Sequence, residues 1–204
     1  MSTYEVRSSE TVLDGRVLHV RRDAVVMPDG STSVREVVSH PGAVGVVALD
    51  DDGTVVLVEQ YRHPVGARLL ELPAGLLDVD GEPALETARR ELAEETGLTA
   101  RDWHVLVDVH TSPGGSDEAA RVYLARGLAA HPDGRPEGRD EEADLDVVRL
   151  PLDEAVARVT DGSLTQSLAV AGLLAAALAR GAGWSGLRDA SAPWPARPDR
   201  APAG

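Results

Sequence analysis

The most constraining feature of the sequence is the stretch between Gly75 and Leu98, in which acids and an arginine recur at fixed spacing. Its charged positions include Glu82, Arg90, Glu91, Glu94 and Glu95. Pro83 suits the first turn of a helix, where its missing N–H costs nothing. Gly97 suits the left-handed residue that ends a helix. The stretch therefore predicts a loop followed by one helix that carries most of these charges.

The acids of this helix are expected to lie close together. Glu91 and Glu95 are neighbours four residues apart, and Glu94 is three residues from Glu91. Stacked carboxylates repel unless something positive lies between them, and Mg²⁺ is typically held by carboxylates together with water and substrate phosphates. The same acids also fit a solvated helix face on which Arg90 pairs with Glu94. The apolar positions form a narrow stripe, Leu85, Ala88 and Leu92.

The whole pattern resembles the Nudix box, the signature of a family of diphosphate hydrolases. Every fixed position from Glu82 to Leu98 matches, and the loop between Gly75 and Glu82, with six residues, is one residue longer than usual. The resemblance implies a metal site formed by the Ala74 carbonyl, Glu91, Glu95 and, as a ligand or a neighbouring acid, Glu94. It also implies Mg²⁺ or Mn²⁺ as the cofactor, with about two or three ions per site. We expect Glu82 and Arg90 to join loop and helix by a charge-assisted contact.

Composition limits the other classes of function. The chain has 204 residues, which allows one domain, or one domain plus a small appendage, and 43% of them are apolar, which is enough for a core. It has no cysteine, which excludes disulfides and thiolate chemistry. The net charge of −14 argues against a nucleic-acid partner. We expect a soluble, cytoplasmic protein without a membrane partner, because the N-terminus lacks signal-peptide regions and the apolar run Leu164–Leu178 is short.

Strand-like and helix-like patterns alternate along the chain. The predicted strands are 17–27, 34–39, 43–49, 55–60, 68–72, 103–110, 120–125 and 144–150, and the later helices are 152–159 and 164–179. Strands on both sides of one helix fit the α+β architecture of the Nudix family, an α/β/α sandwich with a mixed β-sheet. The expected domains are an N-terminal β appendage (1–40), the Nudix domain (41–180) and a loosely ordered tail rich in proline and alanine (181–204).

The N-terminal appendage is too small to bury a core of its own. In related enzymes such a sheet packs on a second subunit, so the resemblance implies a homodimer in which residues 1–40 are the dimerisation element. The alternative is a β-hairpin folded on its own domain, since a sheet edge can be covered in either way.

Features outside the box resemble the ADP-ribose pyrophosphatase branch of the family. Arg62 ends a predicted strand, and an arginine there can fork onto a phosphate. The loop 111–118 contains Gly114 and Gly115, which let the backbone approach a ligand closely. The resemblance implies that Glu118 contacts the terminal ribose, and that Arg35 contacts the diphosphate or the partner subunit. The implied substrate-binding residues are Arg35, Arg62, Leu76, Ser112 and Glu118.

Attack of water on phosphorus needs an acceptor for its proton. In this branch the acceptor comes from an acidic loop after the core sheet, here residues 139–144, which points to Glu142 or, as the alternative, Glu141. The implied function is Mg²⁺-dependent hydrolysis of ADP-ribose to AMP and ribose 5-phosphate. Two alternatives are a nucleoside-diphosphate-sugar pyrophosphatase, acting on ADP-glucose or GDP-mannose, and a non-catalytic ADP-ribose-binding sensor.

Overall fold

The structure, a computed structural model, describes residues 4–16, 18–136 and 144–197. Its strands are β1 (Val6–Asp14), β2 (His19–Val26), β3 (Thr32–Ser39), β4 (Ala43–Leu49), β5 (Thr54–Arg62), β6 (Ala67–Glu71), β7 (Ala74–Leu76), β8 (Leu98–His110), β9 (Ala119–Ala130), β10 (Asp146–Pro151) and β11 (Arg188–Asp189). Its helices are α1 (Ala84–Thr96), α2 (Leu152–Thr160) and α3 (Ser167–Gly181).

One mixed sheet forms the centre of the molecule. Its strands run in the order β10-β5-β4-β9-β8-β11, while β6 pairs with β5 and β7 pairs with β4. β4 and β9 are parallel, and the other strand pairs described in this sheet are antiparallel. All seven residues of β4 are buried. Such a strand needs cover on both of its faces, which explains its continuous apolar sequence.

Helices provide that cover on the two faces. Successive side chains of a strand point to opposite sides of the sheet. Val46 of β4 belongs to the apolar cluster that includes Leu92 of α1. Val47 belongs to the other cluster, together with Leu152 of α2 and Leu173 of α3. The molecule is therefore an α/β/α sandwich, and the predicted α+β fold class with a mixed sheet is confirmed.

A separate antiparallel sheet, β1-β2-β3, precedes the central sheet. The sequence patterns predicted two strands here, 17–27 and 34–39, and missed β1. All nine residues of β1 are exposed, so this strand has no alternation of buried and exposed positions to mark it. Backbone pairing with β2 holds it in place, together with a turn in which the Gly15 N–H donates to the Leu18 carbonyl at 3.0 Å.

Composition predicted a loosely ordered tail after α3. The described part of this segment, which ends at Arg197, is instead attached to the central sheet. β11 pairs with the edge strand β8. The guanidinium of Arg121, a residue only 3% exposed, lies 4.7 Å from the ring centre of Trp194. Arg121 also donates to the carbonyls of Ala192 and Pro193 at 2.7 and 3.0 Å. The prediction was wrong because a buried cation and a tryptophan anchor this segment to the sheet.

β7 was not among the predicted strands, and the other differences lie at the ends of the predicted elements. β8 and β9 are longer than predicted, since they pair with each other from Leu98 and Ala130 onward. α3 begins at Ser167 rather than at residue 164, because Oε1 of Gln166 accepts a bond from the Ala169 N–H at 2.7 Å and satisfies the helix start. In the described part of the chain, no helix has the length and apolar character needed to cross a membrane.

Gly172 marks a close approach of α3 to the central sheet. A Cβ at this position would lie 2.8 Å from Cδ1 of Leu72 and 2.9 Å from Cγ1 of Val122. We expect Gly172→Ala to lower the free energy of unfolding by about 1–3 kcal/mol, the usual effect of overpacking a core. Urea unfolding followed by circular dichroism measures the change.

The control for this variant is Gly181→Ala, at the end of the same helix. A Cβ there would meet no atom within 4 Å. The free energy of unfolding should stay unchanged or rise by up to about 1 kcal/mol, because alanine favours helix. Equal free energies of unfolding for the two variants would contradict the close contact at Gly172.

Candidate functional site

α1 lies between the two residues that the sequence marked as its bounds. Pro83 is extended (φ −64°, ψ 142°) directly before the first helical residue. Gly97 is left-handed (φ 68°), and its N–H donates to the Ala93 carbonyl at 2.8 Å. A side chain is disfavoured in that conformation, and a Cβ there would also lie 3.0 Å from the backbone nitrogen of Arg135. The end of the helix, and with it the position of its acids, is fixed by this glycine.

The acids of α1 face the backbone of β7. A Cβ at Gly75 would lie 2.1 Å from the carboxyl carbon of Glu91, so any other residue here would displace this carboxylate. The Ala74 N–H donates to Oε2 of Glu95 at 3.0 Å. Glu91 and Glu95 are both buried, which is rare for acids that lack partners. Two carboxylates of the helix and the backbone of residues 74–75 therefore meet at one point.

Arg90 is the cation of this acidic region. Its guanidinium donates to Glu91 at 2.7 Å and to Glu94 at 3.0 Å. It also donates twice to Glu82, at 3.1 and 3.2 Å. These two bonds hold the pKa of Glu82 below its usual value. A bond from the hydroxyl of Thr87 at 2.8 Å makes a smaller contribution in the same direction. The structure thus contains both the loop-to-helix contact and the Arg90–Glu94 pair that the sequence suggested.

The donors around this point are hard oxygen atoms, which suit Mg²⁺ or Mn²⁺. They belong to the carboxylates of Glu91, Glu94 and Glu95 and to the Ala74 backbone. Within the residues that the structure describes, no three His, Asp or Glu side chains are grouped so that they alone could hold a metal ion. Arg90 supplies the positive charge between two of the carboxylates. By donor chemistry the residues fit a divalent cation, which would compete with Arg90 for Glu91 and Glu94.

Arg62, the predicted phosphate ligand, lies at the end of β5 in a two-pronged ion pair. Its Nε and Nη2 donate to the two carboxylate oxygens of Glu71 at 2.9 and 2.8 Å. Glu71 is only 1% exposed, and such pairing is what allows a carboxylate to be buried. Glu71 was not among the site residues predicted from the sequence. The available signal was an acid between the apolar residues Leu70 and Leu72.

Ser112 and Glu118 lie in the loop between β8 and β9. The Ser112 carbonyl accepts a bond from the Gly115 N–H at 3.0 Å, which folds the loop back on itself. The Glu118 carboxylate accepts a bond from the hydroxyl of Thr111 and lies 3.2 Å from Nδ1 of His40. The loop therefore keeps the two predicted substrate-binding residues in a closed, hydrogen-bonded shape.

Of the remaining predicted residues, Leu76 and Arg35 take no part in these contacts, and the two candidates for the base fall outside the described residues. Leu76 ends β7 and pairs with the first residue of β4. Arg35 is on β3 in the N-terminal sheet, where its guanidinium donates to the Val34 carbonyl at 2.9 Å. Glu141 and Glu142, the two candidates for the base, lie outside the described residues.

A cleft of about 420 Å³ opens beside α1. Its lining residues are Arg90, Ala93, Glu94, His131, Asp133, Gly134 and Pro136. Arg90 and Glu94 connect the cleft to the acidic region of the helix. The opposite wall comes from the segment directly after β9, which contains no residue that the sequence motifs predicted for the site. In the sequence, this segment is marked only as a polar loop rich in proline and glycine.

Two family models match the chain. The first, described as "NUDIX domain", matches residues 39–168, more than half of the sequence. The chain belongs to the NUDIX family. The second model, described as "Nucleoside diphosphate sugar hydrolase N-terminal domain", matches residues 4–38, the part of this NUDIX protein that forms the three-stranded sheet. The resemblance inferred from the spacing of the acids is confirmed.

Other NUDIX proteins resemble the chain over most of its length. An "ADP-ribose pyrophosphatase" of Mycobacterium tuberculosis (strain ATCC 25618 / H37Rv) is 55% identical, over 84% of this chain and 82% of that protein. An "ADP-ribose pyrophosphatase" of Bacillus subtilis (strain 168) is 38% identical, over 73% of this chain and 79% of that protein. A solved "ADP compounds hydrolase" has a TM-score of 0.76 at 25% identity, over 90% of this chain and 97% of that one.

Proposed function

We propose that this NUDIX protein hydrolyses the diphosphate of ADP-ribose to AMP and ribose 5-phosphate with the help of Mg²⁺ or Mn²⁺. The observation that carries the proposal is the set of oxygen donors where β7 meets α1, because such donors hold the cations that bind a diphosphate. The names of the relatives at 55% and 38% identity support ADP-ribose as the substrate.

Glu91, Glu95 and the Ala74 carbonyl are the proposed metal ligands, and Glu94 is a further ligand or a neighbouring acid. About two or three bound ions would neutralise the charge that develops on the diphosphate and activate the attacking water. The Ala74 N–H holds Oε2 of Glu95 at 3.0 Å, so this carboxylate is oriented before a cation binds. Arg90 offsets the repulsion among the acids until then.

Arg62 is the proposed phosphate ligand. A guanidinium recognises a phosphate by paired hydrogen bonds. Because both oxygens of buried Glu71 hold Arg62, its side chain loses little conformational freedom when the substrate binds. The family resemblance adds Arg35 and Leu76 to the substrate-binding residues.

Ser112 and Glu118 are proposed to bind the ribose end of the substrate, since a carboxylate accepts bonds from sugar hydroxyls. Glu142 is the proposed base, with Glu141 as the alternative. The water oxygen forms a bond to one phosphorus while the bond from that phosphorus to the bridging oxygen breaks. The water proton passes to the base, and AMP and ribose 5-phosphate leave.

We also infer a homodimer, formed through the N-terminal sheet. The large apolar residues exposed in this region are Tyr4, Val6, Val12, Leu13, Leu18 and Val34. Exposed apolar surface of this kind commonly marks an interaction site. β1, exposed at all nine of its residues, also offers an edge on which a second chain could pair.

The dimer is tested by its mass. Light scattering at micromolar protein concentration should give twice the 21.5 kDa of the chain. Leu13→Asp should shift the protein towards the single-chain mass, because it places a charge in the proposed interface. A single-chain mass for the unmodified protein would contradict the inference.

The metal site is tested by Glu95→Gln and Gly75→Ala. We expect each to lower kcat at least about a hundredfold, equivalent to about 2.7 kcal/mol, and to weaken Mn²⁺ binding measured by electron paramagnetic resonance. Glu95→Gln removes a ligand charge, and the new Cβ of Gly75→Ala displaces the Glu91 carboxylate.

The control for both variants is Glu86→Gln on the same helix, where Glu86 pairs with exposed Arg89. Normal kcat and Mn²⁺ affinity in Glu95→Gln would sink the assignment.

The substrate is tested by kcat/KM on ADP-ribose, ADP-glucose and GDP-mannose. We expect a preference for ADP-ribose of about a hundredfold, or about 2.7 kcal/mol in transition-state binding. The description of the second family model supports one alternative, a nucleoside-diphosphate-sugar pyrophosphatase. A flat profile or a preference for either sugar nucleotide would support that alternative. Binding of ADP-ribose without turnover would instead indicate a sensor.

A further inference from the structure

The loop that carries Ser112 and Glu118 is attached to the N-terminal sheet. The Val38 N–H of β3 donates to the Gly115 carbonyl at 2.8 Å, and the Asp117 N–H donates to the Val38 carbonyl at 3.1 Å. These two bonds add the loop to the edge of β3 as a short parallel bridge. The proposed sugar-binding loop of the NUDIX domain is therefore hydrogen-bonded to a different sheet from the strands that it connects.

The side chain of Asp117 is the centre of this attachment. Its Oδ2 accepts from Nη1 of Arg21 at 3.1 Å and from the hydroxyl of Ser39 at 3.0 Å. Its Oδ1 accepts from the His40 backbone N–H at 3.0 Å. Burial alone would raise the pKa of Asp117, but these hydrogen bonds outweigh it and lower the pKa, so the group is an anion at neutral pH. One carboxylate thus binds three donors from β2, β3 and the residue after β3.

The same contacts reach Glu118, the next residue along the chain. His40, whose backbone binds Asp117, has its Nδ1 3.2 Å from the Glu118 carboxylate. The Glu118 N–H donates to the hydroxyl of Ser116 at 3.1 Å. A displacement of Asp117 from the N-terminal sheet would therefore move Glu118 and separate it from His40.

We propose that Asp117 is a positioning residue for substrate specificity, which uses the N-terminal sheet to fix Glu118 against the terminal sugar. The proposal rests on the proposed function, because it takes Glu118 as a ligand of the ribose. Asp117 itself touches neither substrate nor metal in this scheme. Its loss should weaken recognition of the sugar and leave the chemistry at the diphosphate intact.

The test is a pair of matched variants, Asp117→Asn and Asp23→Asn. Both remove a carboxylate that binds Arg21, since Nε of Arg21 also donates to Asp23 at 3.1 Å. Asp23 lies within the N-terminal sheet, where its other side-chain contact is the Ser9 hydroxyl at 2.6 Å. A purely structural role of the Arg21 contacts predicts similar kinetic effects for both variants, whereas the positioning role predicts an effect for Asp117→Asn alone.

We expect Asp117→Asn to raise KM for ADP-ribose about tenfold, or about 1.4 kcal/mol, with kcat within about twofold of the unmodified enzyme. Asp23→Asn should leave KM unchanged. The second substrate is the β-methyl ester of ADP, which keeps the diphosphate and lacks the terminal sugar. Its kcat/KM should be the same in both variants and in the unmodified enzyme. Equal KM values for ADP-ribose in all three proteins, or a fall in kcat alone, would overturn the proposal.

Two further single variants cover the case in which Asp117→Asn does not fold. Arg21→Gln and Ser39→Ala each remove one donor to Asp117, and each should raise KM for ADP-ribose in the same direction. If both variants fold and keep the original KM, the proposal fails even without Asp117→Asn. Failure of the proposed function looks different, because the unmodified enzyme would then either not hydrolyse ADP-ribose or show no preference for it over ADP-glucose and GDP-mannose.

Discussion

The positive charge of Arg90 is the constraint on which the candidate site depends. Three acids on two successive turns of one helix repel each other, and a helix that carries them needs a cation within reach. Arg90 contacts Glu91 and Glu94 on its own helix, and through Glu82 it also holds the preceding loop. The same guanidinium therefore makes the acidic helix stable and fixes the loop that leads from β7 into it.

The segment from Leu72 to Gly75 is held from both faces of the sheet. On one face, Leu72 lies where α3 has Gly172, and a methyl group at residue 172 would already collide with it. On the other face, the Gly75 backbone passes the Glu91 carboxylate so closely that a Cβ at residue 75 would displace it. Two glycines thus bring both helical layers against one short stretch of backbone. This confinement gives the backbone of residues 74 and 75 a defined position beside Glu91 and Glu95.

The sequence predicted those parts of the fold that local patterns encode. Apolar runs marked the strands of the central sheet, and Pro83 and Gly97 gave the ends of α1. β1 was missed because none of its residues is buried, and strand prediction depends on a buried face. The contact between Arg21 and Asp117 joins positions 96 residues apart, and no local pattern predicts such a pair. Composition was also misleading after α3, where packing around Trp194 outweighs a sequence rich in proline and alanine.

The proposed binding sites for the two ends of the substrate differ in how far a local sequence pattern reveals them. The proposed metal ligands lie between residues 74 and 95, and their spacing follows from one helix and the strand before it, so a single motif reveals them. The proposed sugar end depends on a loop between β8 and β9 that is attached to the sheet of β1, β2 and β3. Its geometry arises only when distant segments meet. Diphosphate chemistry can therefore be inferred from a short motif, whereas the proposed specificity for the sugar rests on a contact between the two sheets that no short motif reveals.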